Sequence, residues 1–242
     1  MNPIAFRIGP LAIYWYGLLA ASAFILGFIN IRQNIRAYGL DEEKIESLLL
    51  KLAVVFFVGA RLGVVLLDLE YYLAHPRHIF LRAGLGSQGA IIAVMIVGYF
   101  WTKRDQLPYW TIADATAPTI TIGHIFIRFG NLLNGELFGA PTSLPWAITF
   151  PLSGQPVHPL PLYEMLFSLF LLPKALHWSR QPAYPGYAFY RVLLIHSIFR
   201  FFLDFLRSDN NQIGPLAWTQ IIALGFSLLM LFFMARAHKR QQ

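Results

Sequence analysis

The chain has 242 residues, of which 57% are hydrophobic and only 13% are charged, and its mean hydropathy is +0.54. Soluble globular domains carry roughly 25% charged residues, so this composition excludes an ordinary soluble protein and indicates a polytopic membrane protein. The net charge of +7 is spread along the chain in short clusters, so we expect no nucleic-acid partner. The chain has no cysteine, which excludes disulfides, thiolate metal sites and a cysteine nucleophile of its own.

Hydrophobic segments predict an all-α fold with about seven transmembrane helices in one membrane domain, residues 1–242. The predicted spans cover residues 11–31, 48–68, 87–101, 110–133, 162–178, 186–206 and 215–235. The fourth span is polar for a membrane helix, since it contains Asp114, Thr121 and His124. Such a helix must face protein or a cavity rather than lipid.

The cations in the connecting segments predict how the chain is oriented. One set of alternate connections, with the C-terminal tail, holds ten cations: Arg32, Arg36, Lys44, Lys103, Arg104, Lys174, Arg180, Arg236, Lys239 and Arg240. The N-terminus and the other connections hold four: Arg7, Arg77, Arg82 and Arg207. The positive-inside rule therefore places the N-terminus outside and the C-terminus in the cytoplasm. It also makes residues 134–161 an extracytoplasmic loop.

With that orientation, most of the costly polar residues lie at one depth, near the outer ends of their spans. They are Tyr16 in span 1, Gln88 in span 3, Arg128 and Asn131 in span 4 with Glu136 just beyond, Tyr163 and Glu164 in span 5, and Arg200 and Asp204 in span 6. Guanidinium groups bind phosphate through a planar, bidentate fork. Two arginines at the depth of the lipid head groups therefore suggest a shared anionic ligand, a phospholipid head group.

The spacing places further residues beside these arginines. His196, Arg200 and Asp204 are spaced i, i+4, i+8 and share one helical face, and His124 precedes Arg128 by four residues. Gly130, Gly135 and Gly139 allow close backbone approach and left-handed turns, which suits a loop folding back over a site; the loop is residues 134–161.

Simpler interpretations stay open for several of these residues. Arg128 and Arg200 could snorkel to the interface, or pair structurally with Glu136 and Asp204. Tyr16, with its aromatic neighbours, is more typical of an aromatic belt than of a catalyst. No histidine and carboxylate stand at ligand spacing with a convincing third ligand, so we expect no metal.

The stretch RFGNLLNGELFG, residues 128–139, closely resembles the signature of the prolipoprotein diacylglyceryl transferase family. Four further pieces match that family in order: IYWYGLL at 13–19, GARLG at 59–63, HPLPLYE at 158–164 and FRFFLDFLR at 199–207. The likeness covers most of the chain. It implies seven spans with the N-terminus outside, in the cytoplasmic (inner) membrane of a bacterium.

The resemblance implies that the chain transfers diacylglycerol from phosphatidylglycerol to the lipobox cysteine of a prolipoprotein signal peptide, without a cofactor. Because the substrate supplies the thiol, the absence of cysteine fits. Arg128 and Arg200 match the family's key arginines and suit stabilisation of the departing phosphate. Tyr16 and Glu136 also match the family, so the resemblance implies four catalytic candidates, namely Arg128, Arg200, Glu136 and Tyr16. Asn131 and Glu136 could orient the head group, and Gly139 closes the motif. The candidates for substrate binding are Asn131, Gly139, Gln88, His196, Asp204 and His124.

Four positions depart from the family's pattern. Gln88 and Ala90 stand where relatives usually have a histidine and a glycine, His196 where they commonly have tyrosine, and Asp204 where they have glutamate. Glutamine cannot accept a proton near neutral pH, so a base at that position would be missing. His196 and His124 each have an imidazole that titrates near neutral pH and are the candidate replacements. The simpler role for both histidines is hydrogen bonding inside the bundle. In a third alternative no base is needed, because the arginines alone lower the pKa of the substrate thiol.

Three functional classes therefore stay open. The first is an active transferase, and the second is a non-catalytic phospholipid-binding relative on the same scaffold. The third is a small transporter, which only the polar fourth span favours. Transporters usually place their polar site near the membrane midplane and often contain repeats. Here the polar residues lie near one face and no repeat is visible, so transport ranks last.

Overall fold

The computed structural model is dominated by α-helices, as predicted. It describes residues 3–81, 86–207, 212–213 and 215–239, without the side chains at positions 81, 87, 88, 212 and 213. The chain forms two compact units, one made of Met1–Asn34 with Ala113–Gln242 and the other of Ile35–Ile112. A single membrane domain over residues 1–242 stays a prediction.

Nine α-helices occur in the described part of the chain. In order they are α1 (Trp15–Ala37), α2 (Glu42–Leu67), α3 (Leu69–Ala74), α4 (His78–Leu81), α5 (Ser87–Arg104), α6 (Tyr109–Asn134), α7 (Leu160–Arg180), α8 (Tyr187–Leu203) and α9 (Trp218–Lys239). A 3₁₀ turn, Asp204–Leu206, follows α8. The seven longer helices overlap the seven predicted spans, and their ends differ from the predicted ones by at most six residues.

Within the described residues, three helices are long and apolar enough to cross a membrane, namely α1, α2 and α9. Their lengths are 23, 26 and 22 residues, and about 20 residues cross the hydrocarbon layer. That α5, α6, α7 and α8 also cross, with the predicted orientation, stays a prediction.

Short antiparallel hairpins interrupt the helical pattern. They are β1 (Ile4–Ile8) with β2 (Leu11–Tyr14), β3 (Ile148–Thr149) with β4 (Pro156–Val157), and β5 (Gln212–Ile213) with β6 (Leu216–Ala217). The first hairpin turns at Gly9, whose φ of +59° favours glycine. The predicted first span therefore begins too early, because residues 11–14 belong to a strand and the helix begins at Trp15.

Helix α6 buries several of its polar residues in protein, as the sequence predicted. Asp114 and Thr121 are fully buried. The Asp114 carboxylate accepts hydrogen bonds from the backbone N–H groups of Gly186, Ala188 and Phe189, at 2.7, 2.8 and 3.0 Å. Because the first N–H groups of a helix have no partner within it, Asp114 satisfies the start of α8 from a neighbouring helix.

In the second unit, α2 and α5 approach backbone to backbone. A Cβ added to Gly59 would lie 2.9 Å from the Gly89 carbonyl oxygen, and one added to Gly63 would lie 2.8 Å from the Gly89 Cα. Glycines four residues apart permit this close helix packing in membranes. The GARLG stretch is therefore a packing motif in this structure.

Candidate functional site

The candidate site lies where α6 and α8 end and α7 begins. Glu164, the fifth residue of α7, is buried with 3% of its surface exposed. Its Oε2 pairs with Nε of Arg128 from α6, and its Oε1 accepts a hydrogen bond of 2.8 Å from NH1 of Arg200 in α8. One carboxylate thus joins the two arginines that the sequence assigned to a common ligand.

A second carboxylate extends this cluster along α8. Asp204 is 3% exposed, and its Oδ1 lies 3.0 Å from Nε of Arg200 and 3.5 Å from Nε of Arg207. Three cations and two buried carboxylates therefore alternate across the ends of three helices. The structural pairing of Arg200 with Asp204 considered from the sequence is present, whereas Arg128 pairs with Glu164.

Asn131 and Glu136 form the other edge of the cluster. Arg128 donates from NH1 to Oδ1 of Asn131 at 3.1 Å, and Asn131 donates from Nδ2 to Oε2 of Glu136 at 3.3 Å. Asn134 donates to the other Glu136 oxygen, also at 3.3 Å. Glu136 is exposed. Asn131 therefore links Arg128 to Glu136, and Glu136 lies at the surface.

Gly135 explains how Glu136 reaches back to Asn131. Its φ of +73° is left-handed, and the Glu136 N–H donates to the Asn131 carbonyl at 3.0 Å while the Gly135 N–H donates to that of Leu132 at 3.2 Å. This is the Schellman pattern, in which a left-handed glycine ends a helix and satisfies its last carbonyls. The turn predicted for this glycine is confirmed.

The other two glycines of the signature allow close packing. A Cβ on Gly130 would lie 2.8 Å from Cδ2 of Tyr16, so the Tyr16 ring rests on the α6 backbone. A Cβ on Gly139 would lie 2.5 Å from the Leu206 carbonyl oxygen and 2.9 Å from Cβ of His158. The loop after α6 is therefore held against the end of α8.

His124 and His196 lie together one helical turn before the arginines. Their ring centroids are 4.7 Å apart with an interplanar angle of 57°, and His196 also makes an edge contact with Phe167 at 5.4 Å. The sequence proposed the two histidines as separate candidates, and the structure brings them into contact across α6 and α8. Gln88 is the second residue of α5, in the second unit, and its side chain is not among those described.

Sequence reasoning left two members of the cluster unassigned. Glu164 was noted only for its depth, although it belongs to the HPLPLYE stretch, and Arg207 was counted as a loop cation. A charged residue near the start of an apolar helix is the signal that marks Glu164, because such a residue needs a partner. Its partners come from α6 and α8, and the spacing along α7 cannot identify them.

Two nearly buried guanidinium groups that share one carboxylate can bind an oxyanion. The side chains of Arg128 and Arg200 are 17% and 28% exposed, so water screens them little. Across the described residues, no group of three or more histidine, aspartate or glutamate side chains is arranged to hold a metal ion. The site therefore offers anion recognition and imidazole groups.

Comparison with known proteins identifies the family. The profile of the prolipoprotein diacylglyceryl transferase family matches residues 3–236. A phosphatidylglycerol–prolipoprotein diacylglyceryl transferase of Bordetella parapertussis is 37% identical, covering 90% of this chain and 86% of that protein. The enzyme of the same name from Geobacter sulfurreducens is 33% identical, covering 90% of this chain and 86% of that protein. The one from Thermus thermophilus is also 33% identical, covering 96% of this chain and 97% of that protein. The chain therefore belongs to the prolipoprotein diacylglyceryl transferase family.

Proposed function

We propose that the chain transfers the diacylglyceryl group of phosphatidylglycerol to the lipobox cysteine thiol of a prolipoprotein, forming a thioether. The main structural support for this proposal is that Arg128 and Arg200 both pair with the carboxylate of Glu164. The family and the names of its relatives support the same reaction.

In the proposed reaction, the thiol sulfur attacks the glycerol carbon and the carbon–oxygen bond to phosphate breaks. The leaving glycerol phosphate gains negative charge, which positioned cations stabilise. The contacts with Glu164, Asn131 and Asp204 engage Nε and NH1 of both arginines. We assign the NH2 group of each guanidinium to the phosphate, with Glu164 holding the two planes in place.

The remaining site residues receive positioning roles. Asn131 and Glu136 extend from Arg128 toward the surface and would orient the polar head group. Tyr16 covers the α6 backbone at Gly130 beside the arginines. Gly139 keeps the loop of residues 134–161 close to the end of α8, and Asp204 orients Arg200.

We also propose that all seven long helices cross the cytoplasmic (inner) membrane of a bacterium, with the site toward the outer face. The count of loop cations supports this orientation. The two substrates then reach the site from the outer leaflet, where a secreted preprotein emerges.

The direct test combines the purified protein, phosphatidylglycerol vesicles and a lipobox peptide. Mass spectrometry should show the peptide heavier by one diacylglyceryl group, and a matched peptide with serine in place of cysteine should stay unmodified. Vesicles of phosphatidylcholine alone provide the lipid control. An unmodified cysteine peptide in the presence of bound phosphatidylglycerol would contradict the proposal.

One observation favours a second function, a phospholipid-binding relative without catalysis. The resemblance to the family implies that Gln88 stands where its members usually have a histidine, and glutamine cannot act as a base. The same experiment separates the two functions, because the non-catalytic protein would bind phosphatidylglycerol without modifying the peptide.

A further inference from the structure

Two imidazoles from different helices meet beside the arginine cluster. His124 belongs to α6 and His196 to α8, with ring centroids 4.7 Å apart. Phe167 of α7 contacts the His196 ring and stacks at 3.8 Å on Phe199. Aromatic rings therefore fix the orientation of His196 on one side, and the second imidazole does so on another.

The His196 Nε2 atom is buried and has no hydrogen-bond partner in the described part of the chain. Buried polar atoms normally have partners, so an unpaired ring nitrogen requires an explanation. In a neutral imidazole one nitrogen is a donor and the other an acceptor. Nε2 therefore has a hydrogen-bonding capacity that no described residue uses.

The groups around the pair are mainly the site residues themselves. Arg128 stands one turn beyond His124 on α6, Arg200 one turn beyond His196 on α8, and Glu164 comes from α7. Tyr16 of α1 packs on α6 at Gly130. The pair thus lies next to the place where the proposed function puts the phosphate, on the inner side of the arginines.

We propose that His196, oriented and assisted by His124, accepts the proton of the substrate thiol. This inference rests on the proposed transferase function. The S–H proton passes to Nε2 as the sulfur forms its bond to the glycerol carbon, and the electron pair of the broken carbon–oxygen bond leaves with the phosphate. The imidazolium then returns its proton to the phosphate monoester or to water, which restores the neutral pair.

The test compares cysteine and selenocysteine lipobox peptides in the phosphatidylglycerol assay. A selenol is already ionised at neutral pH, so its transfer needs no base. His196→Gln should slow transfer to the cysteine peptide by about 10²–10⁴-fold, the range of general base catalysis, while transfer to the selenocysteine peptide keeps its wild-type rate. The cysteine rate of the variant should recover as pH rises toward the pKa of a free thiol, about 8.5.

Three further variants sharpen the comparison. His196→Tyr keeps an aromatic ring at this position without the imidazole and provides a second variant if glutamine disturbs folding. The double variant with His124→Gln should be no slower than His196→Gln alone, because groups that act as a unit are not additive. His177→Gln changes an exposed histidine in the last turn of α7 and should leave both rates unchanged.

The outcomes separate the two proposals. If the unmodified protein transfers to neither peptide, the proposed function fails. If it transfers to both and the His196 variants keep the cysteine rate and its pH profile, the histidine is not the base. Equal losses on both peptides would also overturn the inference, since they would show a structural role only.

Discussion

Removing the charge of Glu164 should destabilise the protein more than any surface charge change. In Glu164→Gln, Arg128 loses its ion pair and keeps the 3.1 Å hydrogen bond to Asn131, whereas Arg200 keeps Asp204 at 3.0 Å. Breaking a buried ion pair by removing one partner costs about 3–5 kcal/mol. Since Arg200 retains a partner, we expect about 3 kcal/mol. For a chain of this length, that is a fall in Tm of about 6–12 °C.

The assay is thermal unfolding of the purified protein in detergent. Glu42→Gln is the matched control, because the Arg36–Glu42 pair is short, 2.7 Å, with side chains 56% and 35% exposed. Such an exposed pair contributes about 0–1 kcal/mol. Equal shifts for both variants would refute the reasoning that burial makes the Glu164 bridge strong. A double variant with Arg128→Gln should be less destabilised than the sum of the single changes, because the two residues share one contact.

Three further predictions concern the signature and the orientation. Arg128→Lys keeps the charge but loses the planar fork, so transfer should slow about 10- to 100-fold, the equivalent of a lost charged hydrogen bond; a wild-type rate would show that a point charge suffices. Gly139→Ala places a Cβ 2.5 Å from a backbone carbonyl oxygen, so it should lower the free energy of unfolding by about 1–3 kcal/mol. Gly123→Ala is the control and should be tolerated, because no atom lies within 4 Å of the added Cβ. Equal effects of the two substitutions would contradict the close packing inferred at Gly139. The chain has no cysteine of its own, so single introduced cysteines report the topology. Ser153→Cys should react with a membrane-impermeant maleimide in intact cells, whereas Lys239→Cys should react only after lysis. The reverse pattern would invert the predicted topology.

The sequence predicted the positions of the long helices because apolar runs of about 20 residues are a strong signal. It missed the first hairpin, since residues 4–8 and 11–14 are nearly as apolar as the helix that follows. The Gly9-Pro10 pair was the available signal, because such pairs mark turns. The turn at Gly135 was predictable because a glycine that directly follows the last residue of a helix commonly adopts a left-handed conformation.

Most members of the candidate site were predictable from the sequence, whereas Glu164, Arg207 and most of the contacts were not. Arg128 and Arg200 were found from their depth and from the family signature. The partner of Arg128 was not, because Glu164 is 36 residues from Arg128 along the chain and on another helix. Similarly, spacing placed each histidine one turn before its arginine, but only the packing of α6 on α8 brings the two rings together. Periodicity defines a face of one helix, and it does not define which faces meet.

The glycine contact between α2 and α5 has a consequence for how the chain assembles in a bilayer. Lipid tails are as apolar as leucine side chains, so inserted helices associate through close packing and polar contacts rather than by escaping water. An interface of Gly59, Gly63 and Gly89 immobilises no side-chain rotamers at those positions, so its formation loses little conformational entropy. We therefore expect α2 and α5 to associate early after insertion, before the ion-paired helix ends are brought together. A bulky side chain at Gly89 should then prevent the close packing of α2 on α5 and impair assembly of the protein during its biogenesis.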